Sequence, residues 1–287
     1  MIPAAFDYHR PRSLADAIKL LGEVPEARPL AGGHSLIPMM KLRLAVPPAL
    51  VDLAGIDALR GIVRQGSAVV IGATTTQHEV IASAELARTL PILGETARQI
   101  ADPQVRYLGT LGGNVANGDP GNDMPAVMLC LDATYRLVGP RGGRSVKARA
   151  FYQGAFTTAL QPGELLTHVE IPLPPAGQGQ AYEKLKRKVG DYATAAAAVT
   201  LSRAGGKVTA CVIALTNLGQ TPLLAESAAA AVVGNTLDPA TLKAAAKAAE
   251  AVMDPVSDTR GPAAFRRQAG GIMVARALQH AFERAQG

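Results

Sequence analysis

Two short stretches carry the residue types that could do chemistry: "AGGHSLIP" at residues 31–38 and "GTLGGNVANGDPGND" at residues 109–123. In each, a Gly-Gly pair follows an extended run and precedes hydroxyl and amide side chains. Glycine carries no Cβ, so successive backbone N–H groups can converge on a single point. Such nests suit an anion, and the oxygens of a pyrophosphate in particular. Ser35, Thr110 and Asn114 can add side-chain donors. Neither stretch has the G-x-G-x-x-G spacing of a Rossmann turn or the G-x-x-x-x-G-K-[ST] spacing of a P-loop. One such stretch alone reads as a tight structural turn. Two of them in one chain point to a dinucleotide clamped from both sides. Asp119 and Asp123 would repel a phosphate, so they are expected to face hydroxyls or backbone donors instead. Asp123 also opens the apolar run "MPAVMLCLDA", which leaves a helix cap and a sugar contact equally open.

The flanking pattern predicts the elements that must hold these stretches. Ser13 with Asp16 three residues on predicts a helix over "SLADAIKLLG", ended by Gly22. A short strand leads into "AGGHS", and a turn is expected from Pro38. "LVDLAGI" predicts a strand and turn, and "GIVRQGSAVVIGA" a hairpin. Thr76 with Glu79 caps a helix through Ile81, a second helix covers 92–100, and 109–123 is read as loop before a helix over about 125–131. "TYRLVGPRGGRSVKA" predicts a hairpin and "ELLTHVEIPLP" a strand. "PPAGQGQ" at 174–180 has linker composition. Beyond it come three strands, one through the alanine run 195–198 although alanine favours helix, then helices over 222–233, 238–252 and 262–284. Strands followed by helices after a mixed first part give an α+β chain, divided here into domains 1–176 and 177–287.

Composition narrows the function classes. With 48% hydrophobic and 18% charged residues the chain is globular rather than disordered. The net charge of +6 raises the question of nucleic acid, but the basic residues form no long run. The densest cluster, "LKRK", has no interleaved aromatics, so no nucleic-acid partner is expected. Cys130 and Cys211 lie far apart in apolar segments with no CxxC pair, so two buried thiols are expected and no metal or iron–sulfur site. The first residues carry no apolar signal core, and the longest uncharged run is broken by Asn217, Gly219, Gln220 and Pro222. A cytoplasmic protein without a transmembrane segment is the expectation.

At "AGGHSLIPMMKLR" and "GTLGGNVANGDPGND" the sequence resembles the two flavin-binding segments of the FAD subunits of molybdenum hydroxylases. "YEKLKRKVGDYATAAAAV" at 182–199 resembles a third, and "MIPAAFDYHRP" and "LTNLGQTPLLAE" also fit, so the likeness spans the chain. Within the family it is strongest to medium subunits of aerobic carbon monoxide dehydrogenases. The resemblance implies a PCMH-type FAD-binding domain of two α/β subdomains, then a smaller domain of a three-stranded sheet with helices, with FAD between them. It implies a pyrophosphate on Gly32, Gly33, His34 and Ser35 from one side and Thr110, Gly112, Gly113 and Asn114 from the other. Asp123 would meet the sugar-like part. Ile100 and Ala101 would lie beside the cofactor, and Leu166 and Lys184 near the isoalloxazine ring, with Tyr192 stacking there. From the residues alone Tyr192 reads as a packed strand residue. Ala31, Leu36, Gly109 and Asp191 complete the implied cofactor-binding set. His78 is expected on the surface, and no acid–base pair or nucleophile is expected in this chain.

By the same likeness the partners are a large subunit with a molybdenum–pterin cofactor and a small subunit with two [2Fe–2S] clusters, in a dimer of heterotrimers. FAD would pass electrons to a quinone or other acceptor, with peripheral membrane association of the complex. The alternatives are a related complex acting on an N-heterocycle, aldehyde or purine, and a non-catalytic nucleotide-binding protein. Two positions depart from the pattern. Met124 stands where carbon monoxide members are expected to carry histidine, and Tyr192 where tryptophan is expected. Both bear on subtype and flavin tuning rather than on FAD binding.

Overall fold

The computed structural model describes residues 2–286. The first layer is a parallel sheet in the order β1-β3-β2, formed by β1 (Asp7–His9), β2 (Arg28–Leu30) and β3 (Ala49–Asp52). Helix α1 (Leu14–Glu23) joins β1 to β2, and α2 (Leu36–Lys41) lies between β2 and β3. The Ser13 cap is present, its hydroxyl accepting from the Asp16 amide at 3.1 Å. Gly22 does not end the helix, which continues to Glu23 and closes on Val24. Where a turn is expected from Pro38, residues 36–41 are helical with Pro38 in the first turn, where its missing N–H costs nothing.

Strands β4 (Ile62–Gln65), β5 (Ala68–Gly72), β6 (Thr134–Gly139), β7 (Gly142–Lys147) and, after the small β8 (Tyr152–Gly154) and β9 (Thr157–Thr158) pair, β10 (Leu165–Pro172) build the second layer. Its order is β4-β5-β10-β6-β7, antiparallel throughout. Between β5 and β6 the chain makes α3 (Gln77–Ala82), α4 (Ala84–Thr89), α5 (Pro91–Gln99), α6 (Pro103–Leu108), α7 (Leu111–Ala116) and α8 (Asp123–Cys130). Thr76 and Glu79 form the expected capping box. Helices α4 and α6 were not expected. Each is a single short stretch opened by a cap, Ser83 and Asp102, too brief for periodicity to declare.

The last part holds β11 (Gly179–Leu185), β12 (Ala195–Ala204), β13 (Lys207–Thr216) and β14 (Leu223–Leu224), with α9 (Glu226–Val232), α10 (Pro239–Glu250) and α11 (Ala263–Arg284). The three-stranded sheet expected here gains a fourth, two-residue strand. Leu223 and Leu224 pair with Leu215 and Ala214, which delays the helix expected from 222 until Glu226.

The alanine run forms the centre of β12, against its intrinsic preference. Alternation explains it. Ala196 and Ala198 belong to the apolar core of the first part, while Ala195, Ala197, Val199 and Leu201 belong to the core under α11. Helix α8 packs on one face and α11 on the other. Burial on both faces favours a strand, and small side chains let two helices approach one sheet closely.

Candidate cofactor site

The two glycine stretches meet, and they are built differently. A Cβ on Gly32 would lie 2.3 Å from the Leu108 carbonyl oxygen and 2.7 Å from the Gly109 Cα, so the two backbones are in direct contact. The second stretch is not a loop at its Gly-Gly pair. Thr110 caps α7 by accepting from the Gly113 amide at 2.9 Å, and Asn114 N–H donates to the Thr110 carbonyl at 3.1 Å. Leu111 N–H donates to Thr75 O at 2.8 Å and Gly112 N–H to Ala73 O at 2.9 Å. Its backbone donors are therefore committed to the fold. Gly112 is required by the sheet, because a Cβ there would fall 2.5 Å from the Ala73 Cβ.

The first stretch keeps its donors free. Gly33 has φ +73°, the left-handed region that glycine enters without cost. Among the described residues no intramolecular acceptor meets the amides of Gly33, His34 and Ser35, and the Ser35 side chain makes no capping bond to α2. Three neighbouring amides and a hydroxyl at a helix start form the donor set that an anionic oxygen takes up. These residues fit a cofactor phosphate. Ala31 lies beside the second stretch, 3.8 Å from where a Cβ on Gly113 would be. His34 is exposed, and Leu36 is half-buried. A cavity of about 360 Å³ adjoins both stretches, lined by Ala31, Thr74, Thr76, His78, Tyr107 and Thr110 among others. His78, exposed as expected, stacks on Tyr107 with ring centroids 4.2 Å apart.

The far end of the second stretch turns inward. Asp123 opens α8 and is buried, and its two oxygens accept from the Tyr182 hydroxyl at 2.5 Å and the Lys184 ammonium at 2.8 Å. Lys184, its side chain 1% exposed, also donates to the Gln99 carbonyl at 3.2 Å. Burial raises the Asp123 carboxyl above its ordinary value, against the pull of Lys184 and Tyr182. Burial together with Asp123 raises the Tyr182 phenol well above its own. This pair ties α8 to β11, and neither charge stands free. Asn114 fastens the same corner, accepting at its side-chain oxygen from Met124 N–H at 3.3 Å and at its carbonyl from Asn122 at 2.8 Å. Met124 itself is fully buried in the apolar core.

Ile100 and Ala101 follow α5, Ala101 with φ +44°. Arg106 holds this corner by donating to the Ile100 and Ala101 carbonyls at 2.9 and 3.1 Å. A Cβ on Gly190 would stand 3.2 Å from the Ala101 carbonyl, which brings the 186–192 segment alongside. There Asp191 pairs with Arg187 at 3.0 Å. Tyr192 is 41% exposed, sits against Gly121, and has the Arg260 guanidinium 5.6 Å from its ring centroid. It is a half-exposed ring rather than a packed strand residue. Leu166 lies in the core of the five-stranded sheet beside a bulge of β10. Burial pushes the Cys130 thiol up to about 12, which makes it inert, and Cys211 is half-buried.

Sequence reasoning missed Tyr182, Arg106 and Arg266. Tyr182 and Arg106 act through partners distant in sequence or through backbone carbonyls, which no local pattern announces. Arg266 is buried in α11 and donates to the carbonyls of Thr194 at 3.1 Å, Val256 at 2.7 Å and Asn217, holding the loops around Tyr192 together. The only signal was an arginine on the apolar face of a long helix, in register with Ala269, Met273 and Ala277.

A family model described as the FAD binding domain in molybdopterin dehydrogenase matches residues 4–174, and one described as the CO dehydrogenase flavoprotein C-terminal domain matches residues 180–281. The chain belongs to this flavoprotein family. It is 60% identical over 286 residues to the carbon monoxide dehydrogenase medium chain of Afipia carboxidovorans, covering 99% of each chain. It is 46% identical over 285 residues to the medium chain of the same name from Hydrogenophaga pseudoflava, again covering 99% of each. A solved structure of reconstituted CO dehydrogenase from Oligotropha carboxidovorans contains a chain that superposes with a TM-score of 0.98 at 59% identity, covering 99% of this chain and 100% of that one. The family fold is thus an FAD-binding domain followed by a flavoprotein C-terminal domain, an oxidoreductase architecture. Among the described residues no helix is long and apolar enough to cross a membrane.

Proposed function

We propose that this chain is the FAD-carrying medium subunit of a molybdenum-containing carbon monoxide dehydrogenase, with its two domains divided at 176/177. The observation that carries the reading is the open set of Gly33, His34 and Ser35 amides, directly after Gly32 where the chain packs on the Leu108–Gly109 backbone, in a chain alike from end to end to such medium chains. Bound there, FAD supplies one-electron and two-electron redox chemistry between the iron–sulfur clusters of a small subunit and an acceptor such as a quinone. The large subunit would hold the molybdenum–pterin and oxidise carbon monoxide with water.

The chain's own residues bind, orient and shield. Gly32, Gly33, His34 and Ser35, with Ala31 and Leu36 flanking, take the diphosphate. Gly109, Thr110, Gly112, Gly113 and Asn114 supply the rigid opposite wall. Ile100 and Ala101 line the cofactor, and Asp123, Lys184, Leu166, Asp191 and Tyr192 frame the sugar-like chain and the ring. Lys184 and Asp123 act as a pair, holding α8 against β11 at the ring's edge. We read the complex as a dimer of heterotrimers working in the cytoplasm or at the inner membrane face.

A visible spectrum tests this reading. The purified complex should carry flavin absorbance and about one FAD per medium subunit, as a resident cofactor requires. A complex that shows none and cannot be loaded with FAD overturns it.

A further inference from the structure

Strand β11 presents alternate side chains to the first half of the molecule. Gln180 accepts from the Ile92 amide at 3.5 Å, Tyr182 donates to Asp123, and Lys184 reaches Asp123 and the Gln99 carbonyl. Lys186 follows directly after the end of β11 at Leu185, with Lys184, Asp123 and Arg106 as its charged neighbours. It is half-buried, and among the described residues no side-chain hydrogen bond or ion pair engages its ammonium. Lys184 on one side touches the residue before Ile100, and Gly190 on the other touches Ala101, so Lys186 runs past the same corner.

The charges there do not balance. Asp123 is the carboxylate at hand, and both its oxygens are already taken by Tyr182 and Lys184. Arg106 adds a further cation, its guanidinium on the Ile100 and Ala101 carbonyls. Burial, then Lys184, holds the Lys186 ammonium below the ordinary lysine value, with Arg106 acting in the same direction and Asp123 against it. A half-buried cation among cations is unfavourable until negative charge arrives beside it. The corner is also where the reading of this chain as a flavoprotein puts the isoalloxazine ring.

We propose that Lys186 is a flavin-tuning residue: its ammonium faces the ring of bound FAD and stabilises the reduced, negatively charged form over the oxidised one. The inference rests on the function proposed above and adds a residue and a direction to it. A cation placed so raises the flavin potential without contributing to the hold on the diphosphate.

The test uses the purified complex with variants Lys186→Met and Lys186→Arg, reading FAD content and the flavin midpoint potential by spectroelectrochemical titration. Lys186→Met should keep its FAD and bind the reduced form at least tenfold more weakly relative to the oxidised form. That ratio is a fall of about 30 mV for a two-electron couple. Lys186→Arg, which keeps the charge, should titrate near the wild type. An unchanged potential in Lys186→Met overturns the proposal, as does an equal fall in both variants, which would assign the effect to packing. If Lys186→Met loses FAD while Lys186→Arg retains it at the wild-type potential, Lys186 serves the diphosphate and the proposal also fails. A wild-type complex without flavin would instead defeat the underlying functional reading, so the two failures are distinguishable.

Discussion

The stretches 31–36 and 109–114 look alike as sequence and differ as structure. Each has a Gly-Gly pair followed by polar residues. In the first, backbone donors remain uncommitted and a left-handed glycine bends the chain. In the second, the glycines occupy the first turn of a capped helix and the donors are bonded to 73–75 and to Thr110. One is a hand and the other is the wall it rests against. A glycine pair thus signals close approach, but the approaching partner can be the chain's own backbone as readily as a ligand.

Four variants sharpen or break that comparison. The largest expected loss is at the buried end of the second stretch. Lys184→Met leaves Asp123 buried without its cation and should cost about 3–5 kcal/mol in denaturant unfolding, the usual penalty for breaking a buried pair. A loss below roughly 1 kcal/mol would mean the pair is solvated and no wall-strengthening bond at all. Next comes Gly112→Ala, whose methyl would meet Ala73 at 2.5 Å. Overpacking of this kind costs about 1–3 kcal/mol, and thermal unfolding should show it with or without added FAD.

Thr110→Ala removes a helix cap and should cost about 1 kcal/mol. Equal stability of this variant and the parent would contradict the wall assignment. The smallest effect on stability is expected at Ser35→Ala, because its hydroxyl caps nothing in the fold. Its unfolding should match the parent within about 0.5 kcal/mol. Its affinity for FAD should fall about tenfold or more, the worth of a hydrogen bond to a charged oxygen. FAD binding at parental strength would remove Ser35 from the site.

Much of the frame was readable from local chemistry. The Ser13 and Thr76 caps, the hairpins about 61–73 and 134–147, and the long helix ending the chain each announce themselves through a few neighbouring residues. The β12 alanines were harder, since their strand state depends on helices packed on both faces, which no local window contains. Helix α7 was invisible because the glycines of its first turn argue against helix, and the close approach to Ala73 that requires Gly112 is not a local signal. At the site, residue types and spacing point equally to both glycine stretches, and only the contacts of each backbone tell them apart. The Asp123–Lys184 pair escaped because its partners are 61 positions apart and each looked sufficient for another role.

The double burial of β12 has a consequence for how the molecule comes apart. Its even-numbered alanines complete the core of the first part, and its odd-numbered ones complete the core of the second. The connecting residues Pro175 and Ala176 are exposed. A protease cutting there should yield a nicked protein that still elutes as one particle, because severing the covalent link leaves a shared strand in place. Separately expressed, the second half would expose the even-numbered alanine face of β12, and the first half the α8 surface that packs on it.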